Sequence, residues 1–316
     1  MGVITEAQVR ELERRVGAGR LRRDVPLAPF TTFRIGGPAD CFLRARTSEQ
    51  LADDVRIARE LEVPLFLLGL GANILVGDRG FPGLVIRCEA GGIERLDERR
   101  VRTGSGIAVF PDLIVETVQQ GLGGLHHYVG IPSTVGGAIW QNLHFLSPPP
   151  ERSRTCFIEE VVESCELLSP AGDVRTATRA ELRFGYDYSL LHESGDIVLS
   201  TIFQLEPGPE EELRFVMREN LKWRDDRHPD LWLYPSAGSI FRKIEGVGAG
   251  RLIDQCGLKG HIVGGAQFFH KHANIIVNLG GARAADVRAL IALAQATVAR
   301  ELGYELVPEI SFVGEF

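Results

Sequence analysis

A stretch without charged residues limits the folds open to this chain more than any other feature. From Thr117 to Pro150 the sequence contains no Asp, Glu, Lys or Arg. A segment of that length could cross a bilayer, which takes about 20 residues. Its glycines, proline and amides would not form a stable helix in lipid: Gly121, Gly123, Gly124, Gly130, Pro132, Gly136, Gly137, Gln119, Gln120, Gln141 and Asn142. We therefore expect a neutral, glycine-rich loop and no membrane span.

The whole chain has the composition of a globular protein. With 316 residues and about 150 residues per domain, it should hold two domains or three small ones. Hydrophobic residues make up 44%, and 35 basic against 42 acidic side chains leave a net charge of −7. This balance argues against a broad surface for nucleic acid or anionic membranes.

The cysteines and the N-terminal segment indicate the cellular compartment in which the protein is expected. The five cysteines show neither a C-x-x-C motif nor the spacing of zinc ligands, which is typical of reduced thiols in the cytoplasm. The segment from Thr5 to Val16 predicts an amphipathic helix with a capping box, not a signal peptide. We expect a cytoplasmic protein without a metal. Five histidines have no carboxylate or cysteine at the spacing of metal ligands, so we interpret them as structural residues or as part of a wall beside a cofactor. They are His126, His127, His144, His270 and His272.

Apolar spacing predicts a mixed α/β first part and an α+β last part. A helix is expected from Ser48 to about Val63, followed by a buried strand to Leu68. Further strands are expected at 74–76, 81–88, 99–104, 158–168, 173–178 and 197–205. Pro207-Gly208-Pro209 is the best candidate linker. Beyond it, helices at 210–227, 248–256 and 284–302 and a strand at 275–278 are expected, with Leu302 on the buried face of the last helix.

Three glycine-rich turns are candidates for ligand binding: residues 69–73, 130–137 and 237–241. None has the Rossmann or Walker signature. Consecutive backbone N–H groups in such turns form nests that bind anions such as a pyrophosphate. The alternative for any single turn is a tight connection. Two turns in the same half of the chain, one inside the uncharged stretch, favour a dinucleotide site.

Ordered strings along the chain carry a resemblance to a known family. They are Thr32-Phe33-Arg34-Ile35-Gly36-Gly37-Pro38-Ala39, Gly71-Ala72-Asn73-Ile74-Leu75-Val76, Gly130-Ile131-Pro132-Ser133-Thr134-Val135-Gly136-Gly137-Ala138, Pro235-Ser236-Ala237-Gly238-Ser239-Ile240-Phe241, Ala249-Gly250-Arg251-Leu252-Ile253, Gly257-Leu258-Lys259-Gly260 and His272-Ala273-Asn274. Together with Glu309 they resemble the UDP-N-acetylenolpyruvoylglucosamine reductase family.

The resemblance implies a fold of the α/β plus α+β class. An FAD-binding α/β part of two subdomains, residues 1–88 and 89–207, would precede an α+β substrate-binding domain, residues 208–316. It also implies a cytoplasmic flavoprotein that uses NADPH and FAD to reduce the enolpyruvyl ether of a UDP-sugar. The product, UDP-N-acetylmuramate, serves peptidoglycan biosynthesis.

The resemblance implies that two of the glycine turns contact FAD and that the uncharged stretch forms a wall beside its ring. Family members usually carry Ser where Ala72 stands, so one hydroxyl contact to phosphate should be absent while the backbone donors remain. The implied FAD contacts are Gly69, Gly71, Ala72, Asn73, Ser133, Thr134, Gly136 and Gly137.

Two side chains are expected to carry the chemistry. Hydride addition to an enol ether leaves enolate character beside the carboxylate, so an acid must supply a proton. Ser239 matches the family's proton donor. For an arbitrary Gly-Ser the favoured alternative is a serine that caps a turn, and only the resembling string favours the donor role here. Glu309 matches the acid that stabilises the enolate, and a buried acid with a raised pKa would fit. The alternative for Glu309 is an exposed strand glutamate balanced by Arg300.

One departure from the family pattern concerns the substrate carboxylate. The family usually has an arginine that holds this carboxylate where the present chain has Asp187. We expect Arg183, Arg242 or Lys243 to supply the positive charge instead. Tyr186 and Arg242 are assigned as substrate-binding residues.

A second departure follows Asn142, where Leu143-His144-Phe145 replaces the family's Ala-Gly-Ala and should alter access to the flavin. The two departures leave two alternatives open. One is a flavin oxidoreductase of the same fold with another substrate, and the other is a non-catalytic paralogue that binds FAD or a UDP-sugar. We expect a small UDP-sugar partner, no nucleic acid or membrane, and a monomer or weak oligomer.

Overall fold

The computed structural model describes residues 2–244 and 246–316. The first part of the chain forms a four-stranded sheet of order β1-β2-β5-β3, in which only β1 is antiparallel to its neighbour. Apolar faces of the first two helices pack with the sheet into one core, which includes Leu12, Leu51 and Leu84. Its elements are α1 (Glu6–Val16), β1 (Arg22–Pro26), β2 (Pro38–Ala45), α2 (Ser48–Glu60), β3 (Leu65–Leu68), β4 (Ile74–Val76) and β5 (Phe81–Cys88).

The predicted N-terminal helix and its capping box are confirmed. The hydroxyl of Thr5 accepts a hydrogen bond from the N–H of Gln8 at 3.3 Å, and the Gln8 side chain accepts from the Thr5 N–H at 2.9 Å. This reciprocal capping box begins α1 at Glu6. The buried residues Val9, Leu12 and Val16 then lie on one face of the helix.

The second part is built on a five-stranded antiparallel sheet of order β12-β11-β13-β7-β6. Its elements are β6 (Ile93–Arg95), β7 (Arg100–Gly104), α3 (Ile114–Gln119), β8 (Leu122–Gly123), α4 (Val135–Gln141), β9 (His144–Leu146), β10 (Thr155–Phe157), β11 (Val162–Leu168), β12 (Val174–Thr178), α5 (Leu191–Ser194), β13 (Ile197–Gln204), β14 (Glu206–Pro207) and α6 (Glu210–Asp225). The uncharged stretch supplies α4 and the loops around it, so it is folded against this sheet.

The third part places helices beside a four-stranded antiparallel sheet of order β15-β18-β17-β16. Its elements are β15 (Ser236–Ser239), α7 (Ala249–Gln255), β16 (Ile262–Val263), β17 (Ala266–Phe268), β18 (Ile275–Asn278), α8 (Ala284–Leu302) and β19 (Ser311–Val313). The apolar face of α8 packs into this core from Val287 to Val298. The prediction for Leu302 was wrong: it is the last residue of the helix and is 36% exposed.

The predicted strand at 158–168 begins later than expected. Residues Ile158–Val161 form a single helical turn, and β11 starts at Val162. The carboxylate of Glu160 accepts from the Phe157 N–H at 2.9 Å and pairs with Arg154 at 2.7 Å. These local bonds stabilise a turn where the apolar pattern alone indicates a strand.

Packing around the predicted linker bears on the domain division. The Gly208 N–H donates to the Gly121 carbonyl at 2.9 Å, and Leu213 and Met217 of α6 lie in the core of the second part. The C-terminal strand β19 pairs in parallel with β4, so the end of the chain returns to the first part. The boundaries at 88 and 207 stay predictions, and this packing favours moving the second one beyond α6.

No helix within residues 2–244 and 246–316 is both long enough and apolar enough to span a membrane.

Candidate active site

Two glycine turns that lie far apart in the sequence touch in the structure. One follows β3 at residues 69–73, and the other leads into α4. A β-carbon on Gly69 would lie 2.7 Å from Oγ1 of Thr134, and one on Gly71 would lie 2.7 Å from the carbonyl oxygen of Phe30. Gly71 also has a φ of +61°, which side chains disfavour. Both positions therefore require glycine, and the close contact of Gly69 with Thr134 joins the two turns.

The joined turns present free backbone donors. The N–H groups of the four residues from Leu70 to Asn73, and those of Ser133 and Thr134, donate to no protein group among the described residues. Unpaired N–H groups in succession form a nest that binds an anion. The site therefore fits a group such as a diphosphate, as the sequence predicted for these turns.

Gly136 and Gly137 contribute differently. The Gly136 N–H donates to the Ser105 carbonyl at 2.8 Å, and the Gly137 N–H donates to Oγ1 of Thr134 at 3.3 Å. A β-carbon on Gly136 would lie 3.2 Å from Ser105. Their donors are occupied, so these glycines allow close packing around the turn. A direct contact from either of them to FAD stays a prediction.

Sequence reasoning missed a buried positive charge beside the first turn. Arg87 lies near the end of β5, and its Nε and Nη1 atoms are buried without a hydrogen-bond partner in the described part of the chain. Burial lowers the pKa of its guanidinium. An unpaired buried charge is costly, so this side chain fits an anionic ligand. The available signal was an arginine inside the otherwise apolar strand Phe81–Cys88.

Arg87 opens onto a pocket of about 310 Å³ that also reaches the first glycine turn. The pocket joins the first part of the chain to the loop before β15. Its other lining residues are Pro29, Phe30, Thr31, Thr32, Arg34, Leu70, Leu231 and Trp232. Arg87 and Leu70 of the first glycine turn therefore line the same pocket.

Backbone pairing brings the Ser239 and Glu309 segments together. Phe241 forms an antiparallel bridge with Pro308, and the Glu309 N–H donates to the Ile240 carbonyl at 2.8 Å. The Arg242 N–H donates to the Val307 carbonyl at 2.9 Å. Glu309 therefore lies opposite the peptide that follows Ser239, although 70 residues separate them in sequence.

Asn274 fixes the segment that carries Ser239. Its carbonyl accepts from the Ile240 N–H at 2.8 Å, and its side chain exchanges two hydrogen bonds with the backbone of Phe241, at 3.0 and 2.8 Å. Asn274 is 7% exposed. In the sequence Asn274 stands out only as part of a resembling string, and these contacts show that it positions the segment.

The carboxyl group of Glu309 is the acid that the sequence analysis predicts. Burial and the neighbouring Asp187 raise the pKa of Glu309 to about 8, while Arg242 opposes the shift. Because this pKa lies above neutral pH, the carboxyl group holds a proton there. Glu309 can thus share a proton with a negatively charged ligand, which agrees with the role predicted for it.

Comparison with known proteins places this chain in a family. A model described as an FAD binding domain matches residues 39–178, and a model of the C-terminal domain of UDP-N-acetylenolpyruvoylglucosamine reductase matches residues 229–313. The UDP-N-acetylenolpyruvoylglucosamine reductase of Synechococcus sp. (strain WH7803) is 39% identical over 301 residues, which cover 94% of each chain. The chain belongs to the UDP-N-acetylenolpyruvoylglucosamine reductase family.

Other members of the reductase family match at similar levels. The protein of Halalkalibacterium halodurans is 36% identical over 313 residues, covering 98% of this chain and 99% of its own. The crystal structure of the reductase from Thermus caldophilus superposes with a TM-score of 0.76 at 35% identity, covering 93% and 99% of the two chains. The predicted family and the α/β plus α+β fold are confirmed.

The FAD-binding match includes both glycine turns and Arg87. FAD carries a diphosphate, and the unpaired donors of the nest and the unpaired guanidinium of Arg87 are what such a group needs. The residues present therefore fit the cofactor that the reductase family uses.

The three cations expected to compensate for Asp187 differ in their surroundings. Arg183 lies 3.4 Å from Glu193 and lines a separate pocket with Glu159 and Glu163. Lys243 is exposed. Arg242 lies close enough to Glu309 to lower its pKa. Of the three, Arg242 is therefore best placed to reach a substrate at this reductase site.

Tyr186 lies near Asp187 and Glu309. Its side chain is 48% exposed, and its ring lies 4.7 Å from that of His144. Burial of its inner part and the charges of Asp187 and Glu309 raise the pKa of Tyr186 to about 12. The hydroxyl stays protonated at neutral pH and can donate to a substrate, which is the role predicted for it.

Proposed function

We propose that this chain is an FAD-dependent reductase that uses NADPH to reduce the enolpyruvyl group of UDP-N-acetylglucosamine enolpyruvate. The product is UDP-N-acetylmuramate for peptidoglycan biosynthesis. One observation carries the proposal: the pairing of the Ser239 and Glu309 segments, which places a hydroxyl-bearing residue opposite an acid that keeps its proton at neutral pH. The family match over most of the chain supports the same reaction.

The residues proposed to hold FAD are those of the joined turns together with Arg87. FAD, when bound and reduced by NADPH, would supply hydride to the substrate. The unpaired N–H groups of Leu70 to Asn73 and of Ser133 and Thr134 would bind its diphosphate. Gly69, Gly136 and Gly137 allow the turns to pack closely. Arg87 adds a positive charge whose Nε and Nη1 find no partner among the described residues.

Ser239 and Glu309 have separate tasks in the proposed reaction. Ser239 donates the proton that the substrate needs at the carbon next to its carboxylate. Glu309, protonated at neutral pH, shares its proton with the negative charge that develops there. Asn274 holds the backbone after Ser239 in place through its bonds to Ile240 and Phe241. Tyr186 and Arg242 would contact the substrate beside them.

A direct test is NADPH oxidation by the purified protein, with and without UDP-N-acetylglucosamine enolpyruvate. We expect a yellow protein that releases FAD on acid precipitation and oxidises NADPH faster when the substrate is present. Flavin binding without substrate-dependent turnover would favour a non-catalytic paralogue, for which the negative charge of Asp187 is the motivating feature. Turnover with another acid only would favour a flavin oxidoreductase of the same fold.

We also propose that the protein works in the cytoplasm as a monomer or weak oligomer. All five cysteines are free, and Cys41, Cys156 and Cys165 are buried. Free thiols are typical of a reducing compartment. Labelling of the denatured protein with a thiol reagent directly after cell lysis should count five reduced thiols, and light scattering should give the mass of one chain at low concentration.

A further inference from the structure

A buried pair, His144 and Asp187, lies beside the proposed active site. Nδ1 of His144 is 3.7 Å from Oδ1 of Asp187, and the two side chains are 22% and 5% exposed. Nδ1 of His144 and Oδ2 of Asp187 are buried and have no hydrogen-bond partner within the described ranges. Buried polar atoms without partners are rare and call for an explanation. This pair joins two segments that are 43 residues apart in sequence.

Two left-handed residues and one side-chain hydrogen bond fix the backbone around the pair. Asp187 has a φ of +52°, a left-handed conformation that residues other than glycine seldom adopt. Asn142 ends α4 with a φ of +51°, and its side-chain amide donates to the Gly185 carbonyl at 2.9 Å. This bond ties the turn that carries Asp187 to the segment that carries His144.

The groups around the pair belong to the proposed active site. The ring of His144 lies 4.7 Å from that of Tyr186 and 5.3 Å from that of Phe157. Asp187 is close enough to raise the pKa of both Tyr186 and Glu309. Arg242 faces Glu309 from the other strand segment and lowers its pKa.

One further titratable group lies within reach of Asp187. His192 stacks on Trp140 with ring centroids 3.5 Å apart, and its Nε2 lies 2.9 Å from the Trp140 carbonyl. Because that nitrogen is already bonded, His192 has less freedom than His144 to bind a ligand. The pair of interest is therefore His144 with Asp187.

We propose that His144, oriented by Asp187, binds the carboxylate of the enolpyruvyl group through Nε2. Nδ1 faces Asp187, whereas Nε2 makes no hydrogen bond in the described structure and is not among its buried unpartnered atoms. A doubly protonated imidazole would direct one N–H to Asp187 and the other to the substrate. His144 is then a substrate-binding residue, and Asp187 is its positioning residue. This inference rests on the proposed function, because that function supplies the carboxylate.

The test compares two ligands that differ in the enolpyruvyl carboxylate. UDP-N-acetylglucosamine enolpyruvate carries it, and UDP-N-acetylglucosamine lacks it. Dissociation constants are measured from the absorbance change of the bound flavin or by calorimetry, between pH 6 and about 9. All proteins carry Glu309→Gln, because the ionisation of Glu309 near pH 8 would itself weaken binding of an anion.

In this background, we expect His144→Gln to weaken binding of the enolpyruvyl ligand about 10- to 100-fold, the usual value of a charge-assisted hydrogen bond. Affinity for UDP-N-acetylglucosamine and the FAD content should not change. Binding of the enolpyruvyl ligand should weaken as the pH rises while His144 is present, and this dependence should be absent in His144→Gln. His144→Lys keeps a positive charge and should bind more tightly than His144→Gln, without that dependence.

His192→Gln is the matched control, because it removes a neighbouring imidazole whose Nε2 lies at a backbone carbonyl. It should keep the affinity and the pH dependence of the parent protein. Equal affinity of His144→Gln and the parent for the enolpyruvyl ligand would overturn the proposal. Equal weakening toward both ligands would also overturn it, by assigning His144 a structural role. If the protein without any substitution binds neither ligand, the proposed function itself fails; if any His144 variant loses FAD, His144→Asn is measured in its place.

Discussion

The two ends of the proposed site are built from different kinds of groups. At the proposed FAD end, the donors are unpaired backbone N–H groups from Leu70 to Asn73, and glycines allow close packing around them. At the proposed substrate end, the roles fall to side chains: Ser239 and Glu309 for proton transfer and Tyr186 for substrate binding. A site made of backbone donors depends on local conformation, so it tolerates Ala72 in place of the family's serine. A site made of side chains depends on their charge, so Asp187 in place of the family's arginine changes it directly.

The largest expected effect lies at the substrate end. Ser239→Ala should slow the oxidation of NADPH-reduced flavin by the enolpyruvyl substrate about 10²- to 10⁴-fold, because loss of a positioned general acid has that effect. Reduction of the flavin by NADPH should stay close to the parent rate, since that half-reaction needs no proton from Ser239. Stopped-flow absorbance separates the two half-reactions.

Ser311→Ala is the control for that variant. Ser311 lies in β19, close in sequence to Glu309, and its hydroxyl makes no hydrogen bond among the described residues. Both half-reactions should keep their rates. If Ser239→Ala reacts with substrate as fast as the parent, the proton comes from another group, and Glu309 becomes the next candidate.

At the FAD end, conformation should matter more than side-chain chemistry. Gly71→Ala introduces a β-carbon 2.7 Å from the Phe30 carbonyl at a φ of +61°. We expect FAD affinity to fall about 10- to 100-fold, because strained backbone positions cost about 1–3 kcal/mol. Fluorescence of released flavin during dialysis measures this loss.

Gly238→Ala is a useful comparison with Gly71→Ala. Gly238 also has a positive φ, +75°, but a β-carbon there would meet no heavy atom within 4 Å. It should therefore retain FAD while losing some stability. FAD retention by Gly71→Ala equal to that of the parent would mean that the first turn does not contact the cofactor.

Glu309 connects the substrate end to protein stability. Its pKa is about 8 in the folded chain and 4.5 in an unfolded one. Between these values the unfolded state loses a proton that the folded state keeps, so the stability of the parent falls as pH rises through this window. Glu309→Gln should remove this fall and gain about 1–2 kcal/mol at pH 8. Urea unfolding at pH 4.5 and 8 measures the free energy of unfolding of both proteins. If this free energy depends on pH equally in the parent and in Glu309→Gln, the carboxyl group of Glu309 is not buried.

The two ends also differ in how far the sequence predicted them. The strands Ile74–Val76 and Phe81–Cys88 and the glycine turn between β3 and β4 were predicted, because these features are encoded by neighbouring residues. The turn Ile158–Val161 was not, since its stability comes from Glu160 and Arg154 and not from apolar spacing. Local patterns therefore predicted the strands and the turn at the proposed FAD end.

Contacts between distant residues could not be predicted in the same way. The sequence analysis noted Asp187 and His144 as two separate departures from the family pattern, and the structure places them 3.7 Å apart. Arg87 stands out in the sequence only as an arginine in an apolar strand, and the structure adds that its buried nitrogens are unpaired among the described residues. Charge compensation depends on three-dimensional contacts, so both Arg87 and the His144–Asp187 pair required the structure.

The smallest expected effect returns to the FAD end. Ala72→Ser adds a hydroxyl to a turn whose own N–H groups are unpaired. A neutral hydrogen bond contributes about 0.5–1.5 kcal/mol, so FAD should bind about 2- to 10-fold more tightly. Turnover at saturating FAD should not change, because the reacting groups are untouched. Ala72→Val, which adds bulk without a hydroxyl, is the control and should not tighten binding. Unchanged affinity in Ala72→Ser would show that position 72 does not face the phosphate, and the donors of Leu70 and Gly71 would then carry the contact.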